Sequence, residues 1–264
     1  MELQQYRDLF DLTGKVCIVT GGAGYLGTES VNVLKAFGGT VMAAVRNASE
    51  KEKAPGAPEA DLFCECDMTS TESVKACFSS VAERFGHIDV LVNCACFGAG
   101  YGVGSQLEFM DDETWEKGIE GSVGVVFRGL REVVPYMKER GGSIINYSSM
   151  YGHVAPDLRI YGDNPQKQPA NYGAGKAAIA QLTRYAASAL GEFGIRVNSV
   201  TPGPFPAPKN QTDLAFNAKL AGKTMLGRFG QGHEIAGAIL LLASDASSFM
   251  TGSNITVDGG WTAW

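Results

Sequence analysis

Short apolar runs alternate along the chain with longer segments in which apolar residues recur at helical spacing. The apolar runs predict seven β-strands, at residues 16–19, 40–45, 62–65, 88–93, 143–148, 195–201 and 254–257. The segments between them predict helices, from a glycine-rich turn to about residue 37 and at 70–85, 111–140, 171–192 and 231–243. Apolar strands that alternate with helices are typical of parallel βαβ units with helices on both faces of the sheet. We therefore predict a doubly wound α/β fold with a mostly parallel seven-stranded sheet.

Composition and charge narrow the class of protein. Of the 264 residues, 45% are hydrophobic and 19% are charged, which is enough apolar material for a large core. The net charge of −6 comes without a basic block, so binding of a nucleic acid is not expected. No apolar stretch approaches the roughly 18 residues of a membrane span, and the N-terminus has no apolar signal-peptide core. We expect one domain over residues 1–264, located in the cytoplasm and without a membrane partner.

The cysteines and histidines do not form a metal-binding pattern. Four of the six cysteines form two C-x-C pairs, Cys64/Cys66 and Cys94/Cys96, in or beside predicted strands. Residues two apart on a strand share one face, which suits packing better than a closed zinc site. The pair His233-Glu234 begins like a zinc-protease helix, but the second histidine is missing because position 237 is glycine. We predict no catalytic metal.

A glycine-rich turn joins the first predicted strand to the first long helix. In Thr20–Gly27, Gly21 permits the tight turn, Gly24 lets the backbone approach a pyrophosphate, and Gly27 allows close packing of helix on strand. The N-terminus of the following helix offers unpaired N–H groups to the phosphates. This position, between strand and helix, is the context that a Rossmann dinucleotide site requires. We predict that the chain binds a dinucleotide.

The end of the second strand bears on which dinucleotide is bound. Sites that prefer NAD place an acidic residue there, about 20 residues past the glycines. This chain instead has Arg46, 19 residues past Gly27. A guanidinium suits a 2′-phosphate, so NADP is favoured over NAD. The alternative is that Arg46 is a solvated surface residue and that NAD is the cofactor.

Three residues predict a proton-transfer site. Tyr172 and Lys176 are four residues apart on a predicted helix and share one face, and Ser149 follows the carboxyl end of the fifth strand. A free tyrosine has a pKa near 10, so it acts near pH 7 only where about 4 kcal/mol favours the phenolate. One positive charge about 5 Å away supplies roughly 3 kcal/mol. Lys176 and an oxidised nicotinamide together meet that requirement, and Ser149 can hydrogen-bond the substrate oxygen.

These features together resemble the short-chain dehydrogenase/reductase family over nearly the whole chain. The matching landmarks are the Thr20–Gly27 turn, Asp67, Asn93-Cys94-Ala95, Ser149, the Tyr172/Lys176 pair, Pro202-Gly203, Phe249–Gly252 and Val257–Gly260. The resemblance implies that Asp67 and Met68 border the adenine, that Asn93 and Ala95 flank the cofactor, and that Pro202, Gly203 and Phe205 run beside the nicotinamide. The cofactor-binding residues expected are Gly21, Gly24, Tyr25, Leu26, Arg46, Asp67, Met68, Asn93, Ala95, Tyr172, Lys176, Pro202, Gly203 and Phe205.

The chain departs from the family pattern at several positions. Tyr25 stands where single-domain members usually have glycine, and Cys96 also replaces a usual glycine. Ser122 aligns with an asparagine that, in the family, holds a water linking the lysine to solvent. The resemblance therefore makes Ser122 a fourth catalytic candidate, and it leaves open whether the serine holds that water.

An insertion separates Ser149 from Tyr172, which are 23 residues apart, about ten more than the family pattern implies. The insertion, about 153–168, is rich in polar side chains, namely Asp157, Arg159, Tyr161, Asp163, Asn164, Gln166 and Lys167. We hypothesise that it shapes a pocket for a sugar, polyol or sugar acid; a solvated loop without substrate contact is the alternative. Residues 98–104 and 204–229 are the other expected pocket walls, the second as a substrate lid.

The leading function is therefore an NADP-dependent oxidoreductase that interconverts a secondary alcohol and a ketone. Three other functions stay open: a nucleotide-sensing protein without catalysis, a reductase of an apolar ketone, and a lyase or dehalogenase relative that works without a nicotinamide. The intact Ser149, Tyr172 and Lys176 oppose the sensing protein. Family members are usually homotetramers or homodimers built on the helices around 111–140 and 171–192.

Overall fold

The fold was analysed in a computed structural model, which describes residues 3–52, 56–100, 102–164 and 167–264. One sheet contains seven strands in the order β3-β2-β1-β4-β5-β6-β7, and every pairing is parallel. The strands are β1 Val16–Thr20, β2 Thr40–Val45, β3 Leu62–Glu65, β4 Val90–Asn93, β5 Gly142–Tyr147, β6 Ile195–Pro202 and β7 Asn254–Val257. The predicted doubly wound fold is confirmed.

Helices pack on both faces of the sheet. They are α1 Leu3–Asp8, α2 Tyr25–Ala36, α3 Ala48–Glu52, α4 Thr71–Phe85, α5 Asp112–Ile119, α6 Val125–Met137, α7 Ala170–Leu190, α8 Leu214–Gly222 and α9 Ala236–Ala243. Successive strand residues point to opposite faces, so Ile18 joins a core with α4, α6 and α7, whereas Cys17 and Val19 join one with α2 and α9. Because both faces are covered, the central strands β1, β2 and β4 are apolar over most of their length.

The helix predicted over 111–140 is not a single α-helix. A π-helical turn, Glu120–Gly124, separates α5 from α6. The carbonyl of Gly121 accepts a hydrogen bond from the N–H of Phe97, and a Cβ at Gly121 would lie 2.0 Å from the Phe97 carbonyl oxygen. The turn therefore packs directly on the loop that follows β4. Tertiary contacts of this kind, absent from the helical periodicity, account for the wrong prediction of one uninterrupted helix.

The sheet order brings the ends of β1, β4 and β5 together. Thr20 is level with Asn93, and Asn93 is level with Asn146. The strand order reverses between β1 and β4, so the loops that follow them diverge and leave a crevice. The glycine turn, the Cys94–Phe97 loop and Ser149 all emerge at this edge.

Candidate active site

A cavity of about 930 Å³ runs along the carboxyl ends of the strands. It brings together most of the residues predicted for the site, namely Gly21, Gly24, Tyr25, Leu26, Arg46, Asp67, Met68, Ala95, Ser149, Tyr172, Lys176, Pro202, Gly203 and Phe205. One continuous space thus connects the glycine turn to the serine, tyrosine and lysine. Its volume lies within the usual range for ligand and cofactor sites.

The glycine turn forms one wall. Gly21 has φ +67°, a left-handed conformation that favours glycine, and its N–H donates to the Ala44 carbonyl at 2.8 Å. A Cβ at Gly27 would lie 2.2 Å from the Gly21 carbonyl oxygen, so the helix can approach the turn only without a side chain there. Gly24 precedes α2 and supplies no side-chain cap. The first N–H groups of α2 are consequently available to an anion.

The ends of β2 and β3 form a polar end of the cavity. Arg46, Asp67 and Thr69 line it, together with Lys51 on α3, which the sequence reasoning missed. Asp67 accepts hydrogen bonds from the Thr69 N–H at 2.9 Å and the Thr69 hydroxyl at 2.8 Å. These bonds, helped by the charge of Arg46, lower the pKa of Asp67. The carboxylate is therefore ionised. It lies at the same end of the cavity as the cations Arg46 and Lys51.

Tyr172 and Lys176 lie on the same side of α7, as the four-residue spacing predicts. The Lys176 Nζ lies 5.6 Å from the centroid of the Tyr172 ring. Lys176 is 4% exposed, and its Nζ donates to the Tyr147 carbonyl at 2.9 Å. The end of β5 thereby orients the ammonium. Ser149 is two residues further along the chain, and its Oγ accepts the Tyr151 N–H at 3.2 Å.

Electrostatic interactions keep Lys176 charged although it is buried. Burial alone acts to lower the pKa of Lys176. The nearby Cys96, Tyr172 and Cys94 together outweigh burial, so the pKa is raised. The positive charge therefore persists at neutral pH beside the Tyr172 ring.

Ser122 and Asn93 do not reach the cavity wall. Ser122 lies in the π-helical turn, and a Cβ at Gly175 would lie 2.5 Å from the Ser122 Cβ. Its Oγ is buried and has no hydrogen-bond partner within the described ranges. Asn93 donates from Nδ2 to the Asn146 Oδ1 at 2.9 Å, joining β4 to β5. Ser122 thus packs on α7, and Asn93 bonds the neighbouring strand β5.

Apolar residues form part of the cavity lining, namely Cys96, Phe97, Pro202 and Phe205. Ser148 and Ser149 belong to the same lining. The charged residues that line the cavity are Arg46, Lys51, Asp67 and Lys176, and Lys176 is the one four residues from Tyr172 on α7. The cavity lining thus combines aromatic rings and a thiol with two serines. The sequence analysis did not predict Phe97 as a lining residue. Its place four residues after the predicted fourth strand is the feature that could have indicated this role.

The insertion packs on α8, in a cluster that Tyr172 also joins. Its Ile160 is buried in a cluster with Leu220 of α8 and Trp261. The rings of Tyr161 and Phe216 have centroids 5.2 Å apart. None of the insertion residues that the structure describes lines the cavity, and Gln166 lies outside the described residues. Ile160 and Tyr161 therefore face inward and pack against α8 of segment 204–229.

Polar side chains of the insertion bind elsewhere. The Asp157 carboxylate accepts from Arg159 at 2.8 and 2.9 Å and from Lys223 Nζ at 3.0 Å. Those cations lower the pKa of Asp157. Asp163 and Asn164 are exposed. Of segment 204–229, Phe205 lines the cavity, and none of the described residues in 98–104 does so; Tyr101 lies outside the described residues.

Neither a metal cluster nor a membrane span is found in the part of the chain that the structure describes. No group of three or more His, Cys, Asp or Glu residues there could hold a metal ion. No described helix combines the length and the apolar character needed to cross a bilayer.

Comparison with known proteins agrees with this geometry. Residues 22–262 match the enoyl-(acyl carrier protein) reductase family model. The chain is 38% identical over 259 residues to trans-4-hydroxycyclohexanecarboxylate dehydrogenase of Sinomonas cyclohexanicum, covering 94% of this chain and 93% of the relative. It is 36% identical over 259 residues to the 3-oxoacyl-(acyl-carrier-protein) reductase of Thermotoga maritima, covering 94% and 98%.

A solved structure shows the same fold. The gluconate 5-dehydrogenase of Burkholderia cenocepacia J2315, in complex with NADP and tartrate, superposes with a TM-score of 0.83 at 28% identity, covering 97% of this chain and 98% of that one. The relatives share the fold over their full length and act on varied substrates. The chain belongs to the short-chain dehydrogenase/reductase family and is an oxidoreductase that acts on CH–OH groups.

Proposed function

We propose that this enzyme interconverts a secondary alcohol and a ketone with NADP(H), and that Tyr172 is its acid/base. The observation that carries the proposal is the charged Lys176 Nζ, 5.6 Å from the Tyr172 ring centroid, in a cavity that continues to the glycine turn. A binding protein without catalysis would have no need of a tyrosine and a serine together beside this lysine.

The residues present fit a dinucleotide. The uncapped N-terminus of α2 suits the pyrophosphate, and the polar end of the cavity suits the adenosine half. Arg46 and Lys51 both line that end and would hold a 2′-phosphate. The related gluconate 5-dehydrogenase structure contains NADP. NAD is the alternative cofactor, and it would leave these two cations without that partner.

The chain's own residues supply the proton chemistry. The nicotinamide, when bound, gives or takes the hydride. In the direction of reduction, the Tyr172 hydroxyl donates its proton to the ketone oxygen, and the Ser149 hydroxyl hydrogen-bonds that oxygen. The Lys176 ammonium stabilises the phenolate that Tyr172 becomes. In the direction of oxidation, the phenolate takes the proton of the alcohol.

The walls near Tyr172 favour a compact substrate with little charge at the reacting carbon. Phe97, Phe205 and Cys96 offer apolar contacts, whereas Asp157 of the insertion binds Lys223, and Asp163 and Asn164 are exposed. We therefore favour an alicyclic alcohol or ketone, the class to which trans-4-hydroxycyclohexanecarboxylate belongs. The second candidate is a sugar, polyol or sugar acid, which the similarity to a gluconate 5-dehydrogenase supports.

The substrate class can be tested by turnover. Purified enzyme with NADPH is assayed against cyclohexanone and 4-oxocyclohexanecarboxylate, and with NADP against gluconate and other polyols. We expect higher kcat/KM on the cyclic ketones. Replacement of residues 153–168 by a short loop should not create or remove polyol activity. Polyol turnover that depends on the insertion would instead support the second candidate.

The cofactor is tested by fluorescence titration of NADPH and NADH. Arg46→Ala should weaken NADPH binding by about 1.5–3 kcal/mol, roughly 10- to 100-fold, as for a lost charged hydrogen bond, with little change for NADH. Lys51→Ala should act in the same direction but less, because its flexible ammonium is a weaker phosphate ligand. Lys75→Ala, an exposed residue of α4 away from the cavity, is the matched control. Equal losses for both cofactors would contradict the assignment.

We also propose that the enzyme is a homodimer or homotetramer built on α5, α6 and α7. These helices expose Trp115, Phe127 and Tyr185. Large apolar side chains grouped on neighbouring helices are typical of interfaces. Light scattering of the purified protein measures the mass, and a monomer at micromolar concentration would contradict the proposal.

A further inference from the structure

Tyr25 connects the glycine turn to a distant part of the chain. It is the first residue of α2, and its side chain lines the cavity between Gly24 and Leu26. The Tyr25 hydroxyl accepts a hydrogen bond from the Gly232 N–H at 2.9 Å. Gly232 lies three residues past the end of segment 204–229. One side chain therefore joins the turn that faces the cofactor to the chain that leaves this segment.

The two ends of segment 204–229 are held against each other. The Gly230 N–H donates to the Pro204 carbonyl at 2.9 Å. A Cβ at Gly230 would lie 2.4 Å from the Phe205 ring, so this ring packs directly on the Gly230 backbone. Phe205 also lines the cavity near Tyr172. The position of residues 230–232 thus bears on the position of an aromatic wall of the cavity.

Residues 230–232 are fixed from both sides. A Cβ at Gly232 would lie 3.1 Å from the Tyr25 ring and 3.1 Å from Glu29, so the backbone sits tightly on α2. Glu234 accepts the Gln231 N–H at 2.8 Å and pairs with both Arg228 guanidinium nitrogens at 2.7 Å. Of the residues that contact 230–232, Tyr25 is one that also lines the cavity next to the glycine turn.

We propose that Tyr25 is a positioning residue that holds the base of segment 204–229 against the cofactor-binding turn, and so places the Phe205 wall for the substrate. A glycine at position 25, which is the usual residue in the family pattern, would leave the Gly232 N–H without this acceptor. The proposal deepens the proposed function and depends on it for its kinetic part only. The structural part concerns a bond within the chain itself.

The structural part is tested by amide hydrogen exchange on the cofactor-free protein. Tyr25→Phe keeps the ring and removes the acceptor, so the Gly232 amide should exchange about five- to tenfold faster, the change expected for one hydrogen bond. Tyr6→Phe, an exposed tyrosine on α1, is the matched control and should leave Gly232 unchanged. Unchanged exchange at Gly232 in Tyr25→Phe would overturn the proposal, whatever the cofactor.

The kinetic part compares substrate and cofactor. Tyr25→Phe should raise KM for the ketone about fivefold, a larger change than in kcat or in the Kd of NADPH. A parallel loss of NADPH affinity would show that Tyr25 only forms part of the cofactor wall, and would overturn the positioning role. If the wild type binds neither NADPH nor NADH, the proposed function fails, and the exchange result still decides the Tyr25 contact.

Discussion

Two regions of this molecule, to which we assign different roles in the proposed reaction, are built differently. The catalytic edge, formed by the glycine turn, Ser149, Tyr172 and Lys176, rests on strand ends and α7, with Lys176 4% exposed. The region formed by the insertion and segment 204–229 consists of short turns and α8, with Leu214 80% and Leu226 65% exposed. Proton transfer needs fixed geometry, which regular elements supply. Substrate selection is tolerant of variation, and irregular segments can change without disturbing the sheet.

The largest expected effect tests the catalytic edge. Tyr172→Phe removes the proton donor and keeps the ring, so kcat should fall by about 10²–10⁴-fold. The Kd of NADPH should change less than kcat, because Arg46, Lys51 and the glycine turn, which would hold the phosphates, are unaltered. Steady-state kinetics and fluorescence titration measure the two quantities. Full turnover in the variant would remove the basis for assigning the acid/base role to Tyr172.

A pair of matched substitutions should separate the two regions. Ile145→Ala, in the sheet core, should cost about 2–5 kcal/mol and lower the Tm by roughly 4–20 °C, with KM unchanged. Ile160→Ala, in the cluster under α8, should raise KM several-fold and expose segment 204–229 to trypsin, with a smaller drop in Tm. Calorimetry, kinetics and limited proteolysis give these readouts. If each variant both lowers the Tm and raises KM, the two regions form one cooperative unit.

The smallest expected effect concerns pH. The Arg228 guanidinium and the Gln231 N–H lower the pKa of Glu234 from an ordinary 4.5 to about 2. A depressed carboxyl pKa stabilises the folded turn fully above about pH 4.5, and this contribution is lost as pH falls through about 2. Hydrogen exchange at residues 230–232 should therefore rise as pH falls across that window, after correction for the intrinsic rate. Glu234→Gln should flatten this dependence; an unchanged profile would show that the pair does not hold the turn.

Much of the fold follows from sequence because its strands are buried on both faces and read as continuous apolar runs. Tyr172 and Lys176 were placed together correctly because four residues make about one helical turn. Other features depend on contacts that no local pattern encodes. The π-helical turn arises where Gly121 meets Phe97. The bond from the Asn93 amide to Asn146 likewise depends on the pairing of β4 with β5, and the place of Asn93 beside the cofactor stays a prediction.

The insertion shows a second limit of the sequence. Its charged residues suggested a polar pocket wall, yet Ile160 and Tyr161, interspersed among them, determine which side faces inward. Lys51 was missed because α3 is only five residues long and its relation to Arg46 depends on the turn between them. In both cases the sequence shows which residue types are present, but it does not show towards which side of the chain their side chains point.

The hydrogen bond from the Gly230 N–H to the Pro204 carbonyl has a consequence for how such enzymes diversify. Since the stretch between these residues leaves and re-enters the core at one point, its length can change at a small entropic penalty, about 0.6 kcal/mol for each doubling. The stretch between Pro204 and Gly230 can therefore change in length and sequence between related enzymes, and so change their substrate selectivity, while the sheet and α7 stay the same.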